Sequence, residues 1–246
     1  MQNKLCSILK DSLSFPYCSA TTFYYLNHID TPLKFWSNCG DQARRLKNSL
    51  FENWFKASYI EDILVGRHRS ILCEVWQDTF YLNPYLMHEM PVLLDSLTNK
   101  VINSYPMSES AKSIIHISKE GNILNVMKLW PNTARKDSFS FNIGNKIEKD
   151  LTYEDHLSRA PHPEQKNLSL RVIDIEVKEV FHVIFDFLRQ NLSAISSKGK
   201  FERWTIEFND IIKKMARIID SSPWEIEDYI MWAFLIREEI IRNGLR

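Results

Sequence analysis

The sequence predicts an α+β fold: a helix that opens on a cysteine, an antiparallel sheet after it, a small β extension, and a helical C-terminal region. Three observations carry that prediction. Ala43, Leu46, Leu50 and Trp54 recur at helical spacing directly after Cys39, with Arg44, Arg45, Lys47 and Asn48 on the opposite face. Runs rich in β-branched and aromatic residues follow, separated by short turns. Near the far end, Ser222, Pro223 and Glu225 supply an N-cap, a first-position proline and a capping-box acid, and Gly244 stands where a last helix would stop.

The first helix spans 40–55, with Asp41 in its first turn where the macrodipole favours an acid. Strands are expected at 59–65, in SILCEVWQ from Ser70 and in TFYLNPYL from Thr79, the last two joined by a Gln77-Asp78 turn. A meander follows in SIIHIS, ILNVMKLW and SFSFNI, with a turn at 120–122 and an end at Gly144. The polar stretch 145–167, which holds His156 and His162, reads as a linker between a region 1–150 and a helical region 168–246. Helices are expected there at 175–191, 201–219 and 223–243, with Phe181, Phe185, Trp204, Phe208, Trp224 and Trp232 as core.

Bulk properties exclude several classes of function. The 246 residues carry 31 basic and 31 acidic side chains, so no net field draws the chain to nucleic acid or to an anionic membrane. The opening MQNKLCSILKDSLSF has no continuous apolar run of the kind a secretory signal needs, and the apolar stretch 230–236 is far shorter than the roughly 20 residues that span a bilayer. Cys6, Cys18, Cys39 and Cys73 form no CxxC pair, which fits a reducing, cytoplasmic setting and separate roles for each. Six glycines leave no nucleotide-binding cradle, and no Cys/His spacing suggests a metal, so neither a cofactor nor a metal is expected.

The chemistry concentrates around Cys39. A thiol is a useful nucleophile only as thiolate, and a helix N-terminus with a nearby imidazole lowers its pKa from about 8.5. Cys39 has the helix start; His68 precedes the second strand and Asn83 lies within or just after the third, spaced 29 and 15 residues on. An imidazole base needs a third group to fix its tautomer, and Asn83 is the candidate. Cys6, Cys18 and Cys73 read as small apolar residues, and His28 and His116 as ordinary surface or core histidines.

The strings NCGDQARRL, GRHRSILCEVWQD and TFYLNPY resemble the core of the transglutaminase-like superfamily over about 38–85. That superfamily is related to the arylamine N-acetyltransferases and to papain-like folds. The resemblance implies a transglutaminase-like core, Cys39 as nucleophile, His68 as general base and then acid, and residue 83 as the orienting group. It also implies help to an oxyanion at the Cys39 backbone N–H from Trp36 or Asn38. Apart from the resemblance, His88 falls close enough to Asn83 in sequence to line the same cleft, although an ordinary loop histidine is the simpler reading. The expected partner is an acyl or peptide-like substrate, a carrier-bound thioester or coenzyme A thioester among the conceivable donors, consumed by acyl transfer or by amide or thioester hydrolysis. The superfamily pattern has Asp where this chain has Asn83, which weakens a cysteine–imidazolium pair. That substitution leaves open a second reading: a catalytically silent scaffold whose helical C-terminal region binds a partner protein.

Overall fold

The structure, a computed structural model, describes residues 1–31, 33–35, 37–64, 68–104, 113–130, 136–150 and 165–244. In chain order the elements are helix α1 (Gln2–Ser12), strand β1 (Tyr17–Cys18), helix α2 (Thr21–Leu26) and helix α3 (Cys39–Glu52). Strands β2 (Lys56–Glu61), β3 (Arg69–Val75), β4 (Asp78–Leu82) and β5 (Val92–Leu93) follow, then β6 (Asn99–Asn103), β7 (Ile114–Glu120), β8 (Ile123–Leu129) and β9 (Lys136–Asn142). The chain continues through β10 (Asn167–Asp174), β11 (Glu179–Asp186), β12 (Asn191–Ser196) and β13 (Gly199–Glu202), and closes with α4 (Ile206–Ile218) and α5 (Pro223–Arg242). These form the expected α+β arrangement, with antiparallel sheets and a helical C-terminal region.

The chain divides into two compact units, one of residues 1–14 and 39–150, the other of residues 15–38 and 151–246. In the first, β2–β3–β4–β5 make one antiparallel sheet and β6–β7–β8–β9 another. Alternation along β2 to β4 serves both faces of the first sheet. Tyr59, Ile71, Cys73, Phe80 and Leu82 pack with Leu46 and Leu50 of α3 and with Leu5 and Leu9 of α1. Ile60, Leu72 and Tyr81, offset by one residue, join Ile115, Ile117, Leu124, Val126 and Phe141 of the second sheet. β3 is therefore almost wholly buried, which is why SILCEV reads as a continuous apolar run.

Helix α3 starts at Cys39 and stops at Glu52, so Trp54 is not on its inner face. Trp54 takes φ 64° and is exposed, while the Phe55 N–H reaches the Leu50 carbonyl and the Trp54 N–H the Phe51 carbonyl. This is a Schellman ending with tryptophan in the left-handed position usually given to glycine, and it turns Phe55 into the core in place of Trp54. Likewise the hairpin turn falls on Trp76 and Gln77, one residue earlier than expected, with Trp76 at φ 57°.

In the second unit the sheet order is β1–β10–β11–β12–β13, and α4 and α5 cover it with one apolar core that includes Leu170, Phe181, Val183, Phe208, Ile212, Ile226 and Ile230. The helix expected at 175–191 is instead strand β11, paired with β10 from Asn167↔Asp186 to Asp174↔Glu179. Apolar residues four apart, such as Phe181 and Phe185, satisfy both the helical and the strand period; Val183 between them decides for the strand, and all three are buried. The helix expected at 201–219 begins only at Ile206, after Thr205 accepts a hydrogen bond from the Phe208 N–H at 3.1 Å. α5 starts as expected, with the Glu225 carboxylate accepting from the Ser222 N–H at 2.8 Å. Phe181, Phe185 and Phe208 are core, but Trp204, Trp224 and Trp232 are exposed. Within the stretch read as a linker, Ile147 bridges to Tyr59; His156 and His162 lie outside the described residues.

Candidate active site

Cys39 is the first residue of α3 and is half-buried. The helix packs on β3 and on the short 3₁₀ turn Pro84–Leu86, the two segments next to His68 and Asn83. Asp41, in the first turn and fully buried, is bonded by Arg44 at 3.3 Å. The other cysteines differ. Burial raises the thiol pKa of Cys18, and it pushes Cys73 up to about 12; Cys6 is also raised, chiefly by burial. Those three are held as thiols, consistent with their expected role as small apolar residues.

His68 lies immediately before β3, with its ring in an aromatic box. Phe139 stacks on it at 4.2 Å between centroids, Tyr85 stands edge-on at 5.2 Å and Phe141 lies at 6.2 Å. The box fixes the ring plane and removes water. Burial lowers the His68 pKa to about 4, against the opposing charge of buried Asp62. His68 is therefore a neutral imidazole at pH 7.

Asn83, with no exposed surface, meets His68 directly. Its Nδ2 lies 2.8 Å from His68 Nε2, 2.8 Å from Ser70 Oγ and 3.0 Å from Tyr81 OH, while its Oδ1 accepts from the Tyr85 N–H at 3.1 Å. The last bond decides the orientation of the amide. A backbone N–H can only donate, so the atom facing Tyr85 must be the oxygen and the atom facing His68 the nitrogen. The residue is placed by the start of the 3₁₀ turn that it caps and by Pro84, which ends the strand.

His88 is the histidine expected beside Asn83. It is buried, and both ring nitrogens are engaged: Nε2 accepts from the Asn83 backbone N–H at 2.9 Å, and Nδ1 donates to the Met90 carbonyl at 2.8 Å. Burial lowers its pKa to about 4. Its ring stacks parallel to Tyr81 at 6.0 Å, and Met87 before it takes φ 62°, a strained conformation for a methionine. His88 thus braces the backbone of Asn83. Ser70 and Tyr81, whose hydroxyls lie 3.2 Å apart, complete the network. Sequence reasoning missed both, although each lies on the strand adjoining a candidate residue at the alternation that points inward.

Of the two residues expected near the oxyanion, Trp36 lies outside the described residues; Asn38 is partly buried and belongs to the second unit. Among the described residues no cluster of three or more His, Cys, Asp or Glu side chains could hold a metal, and no helix is long and apolar enough to cross a membrane.

No protein-family model matches the chain, and no curated protein matches it in sequence. Solved structures do match in fold. The arylamine N-acetyltransferase from Mycobacterium abscessus superposes with a TM-score of 0.53 at 10% identity, covering 90% of this chain and 84% of that one. Arylamine N-acetyltransferase C from Bacillus anthracis gives 0.51 at 12% identity, covering 89% and 92%. The Bacillus cereus enzyme NAT3, described as having a unique Cys-His-Glu catalytic triad, gives 0.51 at 9%, covering 87% and 89%. The chain shares the fold of these arylamine N-acetyltransferases.

Proposed function

We propose that the chain is a cysteine-dependent acyltransferase in which Cys39 takes an acyl group from an activated donor and passes it to an amine. The observation that carries this reading is the fixed pair of His68 and Asn83, buried together in a water-poor box beside the elements on which the Cys39 helix packs. An orphan histidine in a core has no need of an oriented partner. The whole-length fold likeness to arylamine N-acetyltransferases supports the same reaction class and suggests an acetyl-type group and an aromatic amine.

In this reading His68 removes the Cys39 proton, and the thiolate attacks the donor carbonyl carbon. The C–S bond forms, the tetrahedral oxyanion leans on backbone N–H groups at the start of α3, and the leaving group departs with the proton from His68. The amine then attacks the thioester, His68 takes its proton, and the C–S bond breaks to release the amide and the thiol. Water in place of the amine gives hydrolysis through the same intermediate. Asn83 is the group that orients the ring.

The test is to incubate the full chain with p-nitrophenyl acetate and follow intact mass and nitrophenol release. The expected result is a single acetyl adduct on Cys39 that an arylamine discharges, lost in Cys39→Ala. The silent-scaffold reading rests on Asn83 and expects no adduct on Cys39 and no difference between the two proteins.

A further inference from the structure

We infer that Asn83 holds His68 in its Nδ1–H tautomer, so that the site rests with its base closed and the Asn83 amide must turn over before Cys39 can surrender its proton. For its catalytic consequence the inference rests on the acyl-transfer reading; for its geometry it does not.

The argument is one of donors and acceptors. Asn83 Nδ2 carries only hydrogens and approaches His68 Nε2 to 2.8 Å, so Nε2 must present its lone pair. A neutral imidazole has one proton, which then sits on Nδ1. Because Nε2 is occupied by Asn83, Nδ1 is the nitrogen left to receive a proton from Cys39, and in this tautomer it has no lone pair to receive one. The charged groups that act on the ring do not alter this count. Asp62 and Asp137 favour a proton on the ring and Lys128 opposes one, but burial outweighs them and keeps the ring neutral.

Reversing the amide would put Oδ1 toward Nε2–H and open Nδ1 as a base. The hydroxyls of Ser70 and Tyr81 accommodate either orientation, since a hydroxyl both donates and accepts. Tyr85 does not. Its backbone N–H, now bonded to Oδ1 at 3.1 Å, would face the NH₂ group and lose its acceptor. Losing that partly buried hydrogen bond holds the competent form to a minority and slows the chemistry about 10- to 100-fold. A carboxylate at position 83 has no such conflict. One oxygen accepts from the Tyr85 N–H and the other from His68 Nε2–H, leaving Nδ1 free. Asn83 is thus a positioning residue whose direction, rather than whose presence, sets the rate.

The experiment uses the full chain labelled with ¹⁵N-histidine, read by long-range ¹H–¹⁵N correlation at pH 7, with the His68 signals assigned through His68→Gln. His68 is expected to show protonated Nδ1 and unprotonated Nε2. His88 supplies an internal reference for that pattern, because its Nε2 accepts from a backbone N–H. In Asn83→Asp the His68 pattern should invert or become doubly protonated, and Cys39 acetylation should accelerate about 10- to 100-fold. A wild-type His68 protonated at Nε2 overturns the inference, and this spectrum decides the matter whether or not Asn83→Asp folds. If the tautomers behave as expected while neither protein acetylates Cys39, the inference stands and the acyl-transfer reading falls.

Discussion

Two regions of this chain are buried to the same degree and are built on opposite principles. Beneath α4 and α5, Phe208, Ile211, Ile212, Met215, Ile226 and Ile230 pack against Leu170 and Val183 with no hydrogen bond to direct them. At the ends of β3 and β4, His68, Ser70, Tyr81, Asn83 and His88 are no more exposed, yet each is held by a bond to another member of the group. Apolar contacts are non-directional, so the first region tolerates any residue of similar shape. The second depends on which atom carries a proton. Exchanging one nitrogen for one oxygen at position 83 changes nothing in volume and everything in the protonation pattern.

The difference is sharpest under acid. Both histidines have folded pKa values near 4, below the ordinary 6.5, so between those pH values the unfolded chain binds more protons than the folded one. Stability contributed by the two neutral rings is complete above about pH 6.5 and declines as pH falls toward 4, by on the order of 3 kcal/mol per histidine. Urea midpoints measured across that window should fall steeply in the wild type and about half as steeply in His68→Phe. A flat profile would mean the polar group is not closed to water.

Phe208→Ala strikes the other region. It should cost about 3–5 kcal/mol in urea unfolding, with no change in the His68 tautomer. A changed histidine spectrum in this variant would break the separation drawn between the regions. Thr205→Ala removes the N-cap of α4 and should cost about 1 kcal/mol, read as a lowered unfolding midpoint at constant slope. The smallest expected effect is at Glu225. The Ser222 N–H, with Lys34 assisting, holds its carboxyl down to about 2. Glu225→Gln should therefore lose a small stabilisation that the wild type has above about pH 4.5 and gives up only as pH falls toward 2.

Legibility in the sequence followed the same divide. Helix α3 and strands β3 and β4 could be read because each buries one periodic face, and the α5 start could be read because its cap residues are chemically specific. β11 could not be told from a helix while its apolar residues stood four apart, and β6, with Asn99, Lys100, Val101 and Asn103 exposed and Ile102 alone packed on the core, has no periodic inward face to reveal it. The assignment of 15–38 to the second unit rests on contacts such as Thr21 with Tyr229 and Tyr17 with Arg171, which are long-range and leave no local trace. Cys39, His68 and Asn83 were singled out by spacing, residue type and the resemblance, and of these His68 and Asn83 stand in direct contact. The direction of the Asn83 amide was not, because it is set by the Tyr85 backbone, and the bracing role of His88 was hidden for the same reason.

The central claim is that Cys39 is an acyl-accepting nucleophile served by His68. It is tested most directly by acetylating the full chain with p-nitrophenyl acetate and locating the adduct by peptide mass, in the wild type, Cys39→Ala and His68→Gln. The account predicts one adduct, on Cys39, absent in the alanine variant and formed at least about 100-fold more slowly in the glutamine variant. Adducts spread over surface lysines, or a Cys39 whose acetylation ignores His68, would contradict it.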